Sequence, residues 1–197
     1  MCLTQMEGSL GNGTATSPSG HNAGGRQWFV MRDLTRHNAK LPAYVMLGKM
    51  GIDHFTPMTR KIVTVGGRHE SRMVPFMQDL IFAHDSRAAL DPIVERVHTF
   101  QYRYMKGRVP MTVRDTDMER FIKAVESTDN PQYYRPEEIT PGMLSRRIRI
   151  IGGQLDGYEG TLVTTRGSKV KRLLVELPSL LATAVEVQAE YIQLIRP

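Results

Sequence analysis

The chain has 197 residues, 41% of them hydrophobic and 23% charged, enough for two small cores or one medium one. No run approaches the ~18 unbroken apolar residues of a membrane span, and the start carries no basic stretch followed by an apolar one. A single cysteine, Cys2, rules out an internal disulfide framework and fits a reducing cytoplasm, while a formal charge of +6 draws the protein toward polyanions such as nucleic acid or a nucleoprotein machine.

Residues 1–26 are rich in Gly, Ser and Thr and poor in large apolar side chains, the composition of a flexible tail. Order is expected to begin at Trp28-Phe29-Val30-Met31, a compact apolar strand. Leu41, Tyr44, Val45 and Gly48 sit at helical spacing within 40–50, with Pro42 confined to the first turn. Ile52 to Thr56 reads as a strand ended by Pro57. Residues 58–74 read as a hairpin turning at Gly66-Gly67 and carrying Arg60, Lys61, Arg68 and Arg72 against one acid, Glu70. A buried strand follows at Leu80-Ile81-Phe82-Ala83. Leu90, Ile93, Val94 and Val97 then form the stripe of a one-sided helix over 86–97. Thr99 to Tyr104 alternates like a strand, and Pro110 to Val113 is a shorter one. Thr116-Asp117-Met118-Glu119 has the form of a capping box opening a helix with Met118, Phe121, Ile122 and Val125 inward. The region 27–127 therefore reads as an α+β sandwich, helices over a largely antiparallel sheet.

Residues 128–141 hold three prolines and no periodicity, a linker. Beyond it, 142–197 is patterned as five short strands, a small all-β SH3-like barrel punctuated by Gly152, Gly153, Gly157 and Gly160. The Leu, Ala, Glu and Gln content of 173–195 also suits a helix, but Pro178, Val185 and Val187 favour strand.

Catalytic patterns are absent. The histidines show no metal-ligand spacing, Ser71 and Ser86 lie in no nucleophile elbow, and the glycine cluster leads into a strand rather than onto the helix N-terminus that a phosphate loop needs. A binding protein without metal or cofactor is expected.

The segment from Ile148 to Val163, with Arg149, Gly153, Leu155, Gly157, Tyr158 and Gly160, resembles the KOW motif, in which two strands close on a key glycine, here Gly160. Trp28-Phe29-Val30, Phe55-Thr56-Pro57, the basic hairpin, Leu80-Ile81-Phe82 and Arg108 to Val113, in that order, resemble the N-terminal domain of the NusG family of transcription elongation factors. The resemblance spans 27–197, and the Leu80 to His84 segment is similar to the UpxY-like paralogues, antiterminators of capsular polysaccharide operons.

The resemblance implies a bacterial cytoplasmic monomer whose N-terminal domain grips the clamp helices of RNA polymerase through an apolar depression. Trp28, Phe29, Pro57, Leu80 and Phe82, with Phe100 and Tyr102, would form it; plain core packing is the competing reading, favoured for Phe29 and Phe82. Leu80 stands where the family commonly has tyrosine. Arg60, Lys61, Arg68 and Arg72 would approach DNA or RNA near the transcription fork or an acidic polymerase surface, against the alternative of a solvated edge that blocks aggregation. Leu155 and Tyr158 occupy positions that in the family bind a ribosomal protein, with Leu155 in place of a phenylalanine and Gln154 in place of a proline. A ribosome- or RNA-binding structural protein containing a KOW barrel is the alternative function.

Overall fold

A computed structural model describes residues 25–36, 39–164, 169–188 and 191–195; Cys2, His37 and nearly all of the N-terminal tail lie outside them. The protein is mixed α+β, with three α-helices among the described residues. Its first sheet is built on β1 (Gln27–Asp33), whose residues Phe29, Val30 and Met31 are at most 1% exposed. After α1 (Ala43–Lys49) and β2 (Asp53–Phe55) the chain makes a separate two-stranded hairpin, β3 (Met58–Val65) and β4 (Arg68–Pro75). It returns as β5 (Ile81–Asp85), α2 (Arg87–Arg96), β6 (Phe100–Tyr102), β7 (Thr112–Val113) and α3 (Asp115–Glu126). The strand order is β2-β5-β1-β6 with β7 also on β1, every pair antiparallel.

The period-2 alternation of β1 explains its unbroken apolar run: both faces of this sheet are covered. Phe29 and Met31 point to one side, into a cluster with Ala43 and Leu47 of α1 and Leu90 and Ile93 of α2. Trp28 and Val30 point to the other, against Met118, Phe121 and Ala124 of α3. Local chemistry seats the helices. The carboxylate of Asp33 accepts from the backbone N–H of Ala43 (2.8 Å) in the first turn of α1, and the hydroxyl of Ser86 accepts from that of Ala89 (3.2 Å) in α2. The capping box expected at Thr116–Glu119 does not form. The helix starts two residues earlier, at Asp115 rather than Asp117, with Arg114 at the N-cap position and no side-chain cap. Asp115 and Asp117 instead set negative charge in the first turn, favourable to the helix dipole, and Arg114 pairs with Asp117 at 2.7 Å.

The second sheet runs β13-β9-β10-β11-β12-β8, from β8 (Gln132–Tyr134), β9 (Leu144–Ile150), β10 (Glu159–Val163), β11 (Arg172–Leu177), β12 (Leu181–Glu186) and β13 (Ile192–Leu194). Strands, not a helix, occupy the Leu- and Ala-rich tail, because Leu173, Leu174 and Val175 on β11 pair in register with Val185, Ala184 and Thr183 on β12. The segment 128–141 is more structured than its composition suggests: β8 forms an edge strand on β12, followed by 3-10 turns at Pro136–Glu138 and Pro141–Met143. The two sheets share one core. Its buried residues run from Trp28, Leu80 and Phe82 through Phe121 to Ile148, Tyr158, Leu173 and Val185, with α3 as the middle layer.

Candidate functional site

Three features of this architecture could engage a partner: the apolar faces of the first sheet, the seam between α3 and the second sheet, and the exposed hairpin.

The seven apolar residues singled out in the first region are all buried, and the sheet divides them. Trp28, Leu80 and Phe82 lie on the α3 side. Phe29, Phe100 and Tyr102 lie on the α1 and α2 side, where Phe29 meets Tyr102 edge-on at 5.3 Å. They therefore do not converge on one depression. The hydroxyl of Tyr102 donates to Asp91 at 2.8 Å, and burial followed by this bond to a carboxylate raises its pKa. Pro57 is buried at the hairpin base, its carbonyl accepting from Phe76 N–H at 2.8 Å. On the α3 side the expected depression did not include Phe55, quoted only as part of a motif, or Phe121, expected only as inward-facing; their rings meet edge-on at 6.0 Å. The alternation His54-Phe55-Thr56 and the helical stripe of α3 were the signals available for them.

At the seam, Tyr158 from the loop before β10 lies under α3. Its hydroxyl donates to the carbonyl of Arg120 (3.2 Å), the Arg120 guanidinium sits 5.0 Å from its ring centroid, and the Lys123 ammonium 6.0 Å. Burial pushes the Tyr158 phenol up. Beside it, Arg149 Nε donates to Glu159 at 2.9 Å, and this bond and charge hold the Glu159 carboxyl below its ordinary range. Leu155 is buried in the same core. A second contact ties the hairpin base to the second sheet: Phe76 packs on Tyr133 of β8 with ring centroids 5.5 Å apart, and the Tyr133 phenol is pushed up to about 12 by burial. Gly153 and Gly157 have φ of +70° and +77°. Gly160 has another requirement, since a Cβ there would lie 2.6 Å from the carbonyl oxygen of Leu174.

The hairpin projects eight-residue strands, about 26 Å at ~3.3 Å per residue. Its register pairs Lys61 with Arg72 and Arg60 with Met73, so the four cations do not form one patch. Lys61, Arg68 and Arg72 share a face with Glu70, which pairs with Arg72 at 2.7 Å; Arg60 lies on the opposite face with the exposed Ile62 and Met73. Among the described residues no group of three or more His, Cys, Asp or Glu side chains could hold a metal ion, and no helix is long and apolar enough to cross a membrane.

No family model matches the chain, and no curated protein does. Among solved structures it is similar to one describing domain interaction in Thermotoga maritima NusG, with 13% sequence identity and a TM-score of 0.45 over 87% of this chain and 98% of that one.

Proposed function

We propose that the protein is a transcription elongation and antitermination factor that binds RNA polymerase through the apolar α3 side of its N-terminal, NusG-like domain and contacts nucleic acid through the hairpin. The ordered run of motifs from Trp28 to Gly160 supports this reading. The observation that carries it is the continuous apolar seam joining Trp28, Phe82 and Phe121 to Tyr158 and Leu173, which in this reading two tethered domains make and break. In this reading 27–127 is the polymerase-binding domain, 128–141 the tether and 142–197 a KOW barrel. The closed arrangement masks both working faces at once: the barrel covers α3, and α3 covers Tyr158, so a ribosomal protein could reach Tyr158 only after opening. Engagement of the polymerase clamp helices exchanges one apolar partner for another. The finer assignment is to the UpxY-like antiterminators of capsular polysaccharide operons, acting in the cytoplasm, and it rests on the Leu80 to His84 segment.

The test is retention of the full chain, and of a Tyr158→Ala variant that loosens the seam, on immobilised bacterial RNA polymerase core. Retention that increases in the variant supports the reading. Retention of neither, with co-sedimentation on ribosomal particles, replaces it with a ribosome-binding structural role.

A further inference from the structure

The segment between α3 and β9 has the composition of a free linker, yet it is fastened on two sides. Its strand β8 pairs antiparallel with β12, Gln132 opposite Ala184, Tyr133 opposite Thr183 and Tyr134 opposite Ala182. Alternation along the strand sends neighbouring side chains to opposite faces. Tyr134 goes to one face, where with Ile139 and Met143 it packs on Val163, Leu174 and Ala184. This is the side of the second sheet away from α3, because Leu173 and Val185, next in line on the same strands, belong to the core that α3 shares. The far end is tied down as well: the Met143 carbonyl accepts from the backbone N–H of Thr164 at 2.9 Å. Tyr133 goes to the other face. Its ring centroid lies 5.5 Å from that of Phe76, just beyond β4, and a backbone hydrogen bond links its phenol to Met58 at the start of β3.

The two attachments are unequal. Toward the second sheet stand a strand ladder of three register pairs, the packing of three apolar side chains and the Met143 bond. Toward the hairpin base stand one ring contact and one hydrogen bond. If the sheets part, the smaller attachment yields first. Only Thr128, Asp129, Asn130 and Pro131 then lie between the last turn of α3 and β8, and Asp129 and Asn130 are exposed. Four residues reach at most about 14 Å, where a free tether of 128–141 would reach about 49 Å, at ~3.5 Å per residue. Pro131 fixes its own φ and keeps Asn130 extended, which leaves the bend to Thr128 and Asp129.

We propose that β8 is a strap that travels with the second sheet: when the seam to α3 opens, Tyr133 parts from Phe76, β8 stays on β12, and the chain bends at 128–131. This rests on the reading of the seam as an interface that opens, and it adds the second contact that must break and the length that limits the swing. It also couples the seam to the hairpin. A two-stranded ribbon has little stability of its own, so the closed arrangement steadies the hairpin at its base and opening frees it.

The experiment is amide hydrogen exchange of the full chain, read by mass spectrometry, in the wild type, Phe76→Ala, Tyr158→Ala and the double variant. Phe76→Ala leaves the sequence of β8 untouched and is expected to speed exchange in α3 about tenfold. In the double variant the two factors multiply, because one opening breaks both contacts. Phe76→Leu, which keeps apolar bulk and removes the ring, is expected to give about threefold and serves if alanine unfolds the hairpin base. In Tyr158→Ala the amide of Phe76, bonded to the Pro57 carbonyl at 2.8 Å, should exchange faster together with α3, while β8 and β12 keep their protection. Exchange in α3 that stays at the wild-type rate in Phe76→Ala and Phe76→Leu overturns the proposal. So does β8 losing protection in step with α3 in Tyr158→Ala, which would mean that the strap peels from β12, and so does loss of protection everywhere at once. Polymerase retention is read separately: a chain that is not retained but shows this exchange pattern refutes the elongation-factor reading and leaves the strap standing.

Discussion

Replacing Tyr158 with alanine tests whether the seam is a working interface or ordinary core. The side chain is 7% exposed, and burying an aromatic ring of this size is worth about 2–3 kcal/mol. Its hydroxyl bond to the Arg120 carbonyl adds about 1 kcal/mol and the two cations over the ring ~0.5–1 kcal/mol. Some of the ring burial is internal to the second sheet, so about 2 kcal/mol belongs to the seam. A loss of that size shifts the ratio of docked to undocked states by roughly 30-fold. Hydrogen exchange reads this directly: protection should fall in α3 while β10 and β11 stay protected, because their pairing does not involve Tyr158. Arg120→Ala, which removes the cation over the ring and leaves the carbonyl acceptor in place, should shift the ratio by only about fivefold. Unchanged exchange in α3, in a Tyr158→Ala protein whose β10 and β11 remain protected, would refute an opening seam. Loss of protection everywhere at once would show that the two sheets unfold as one unit, which equally refutes it.

Gly157, in the loop before β10, and Gly160, within that strand, should respond differently. Gly160→Ala drives a Cβ into the Leu174 backbone and should cost about 3 kcal/mol or more in urea unfolding, whereas Gly157→Ala meets open space at φ +77° and should cost only the left-handed penalty of about 1–2 kcal/mol. Tyrosinate absorbance should show late-ionising groups. A phenol whose folded pKa is raised keeps its full stabilising share below pH 10, and that share is lost as pH rises from 10 through about 12 for Tyr133; ionisation of all tyrosines together near pH 10 in the folded protein would contradict its burial. On the hairpin, charge reversal at Lys61 should weaken single-strand binding more than reversal at Arg60, because only Lys61 shares a face with Arg68 and Arg72; equal effects would contradict the register. At acid pH the depressed Glu159 carboxyl gives stability that is present above its ordinary value near 4.5 and lost as pH falls, so Glu159→Gln should flatten the acid limb of the unfolding curve.

What could be read in advance follows the range of the interactions involved. The hairpin was legible because its turn, Gly66-Gly67, and its flanking alternation are local. The helices were legible from their stripes, and β1 from a run of four apolar residues. That same run already held the fact that divides the expected polymerase-binding residues. Neighbours on a strand face opposite ways, so Trp28 and Phe29 could never serve one depression. By contrast, β8 is three residues long, and its partner, Thr183 opposite Tyr133, comes fifty positions later; no local periodicity marks it. The seam hid for a further reason. Arg120 and Lys123 lie outside the apolar stripe of α3, where an amphipathic helix normally meets water, yet both sit over the Tyr158 ring. Their charged ends keep solvent while their stems and π contacts cover a neighbour, so the rim of the apolar seam stays hydrated even when it is closed. An interface of that kind suits a contact that must be exchanged for another one.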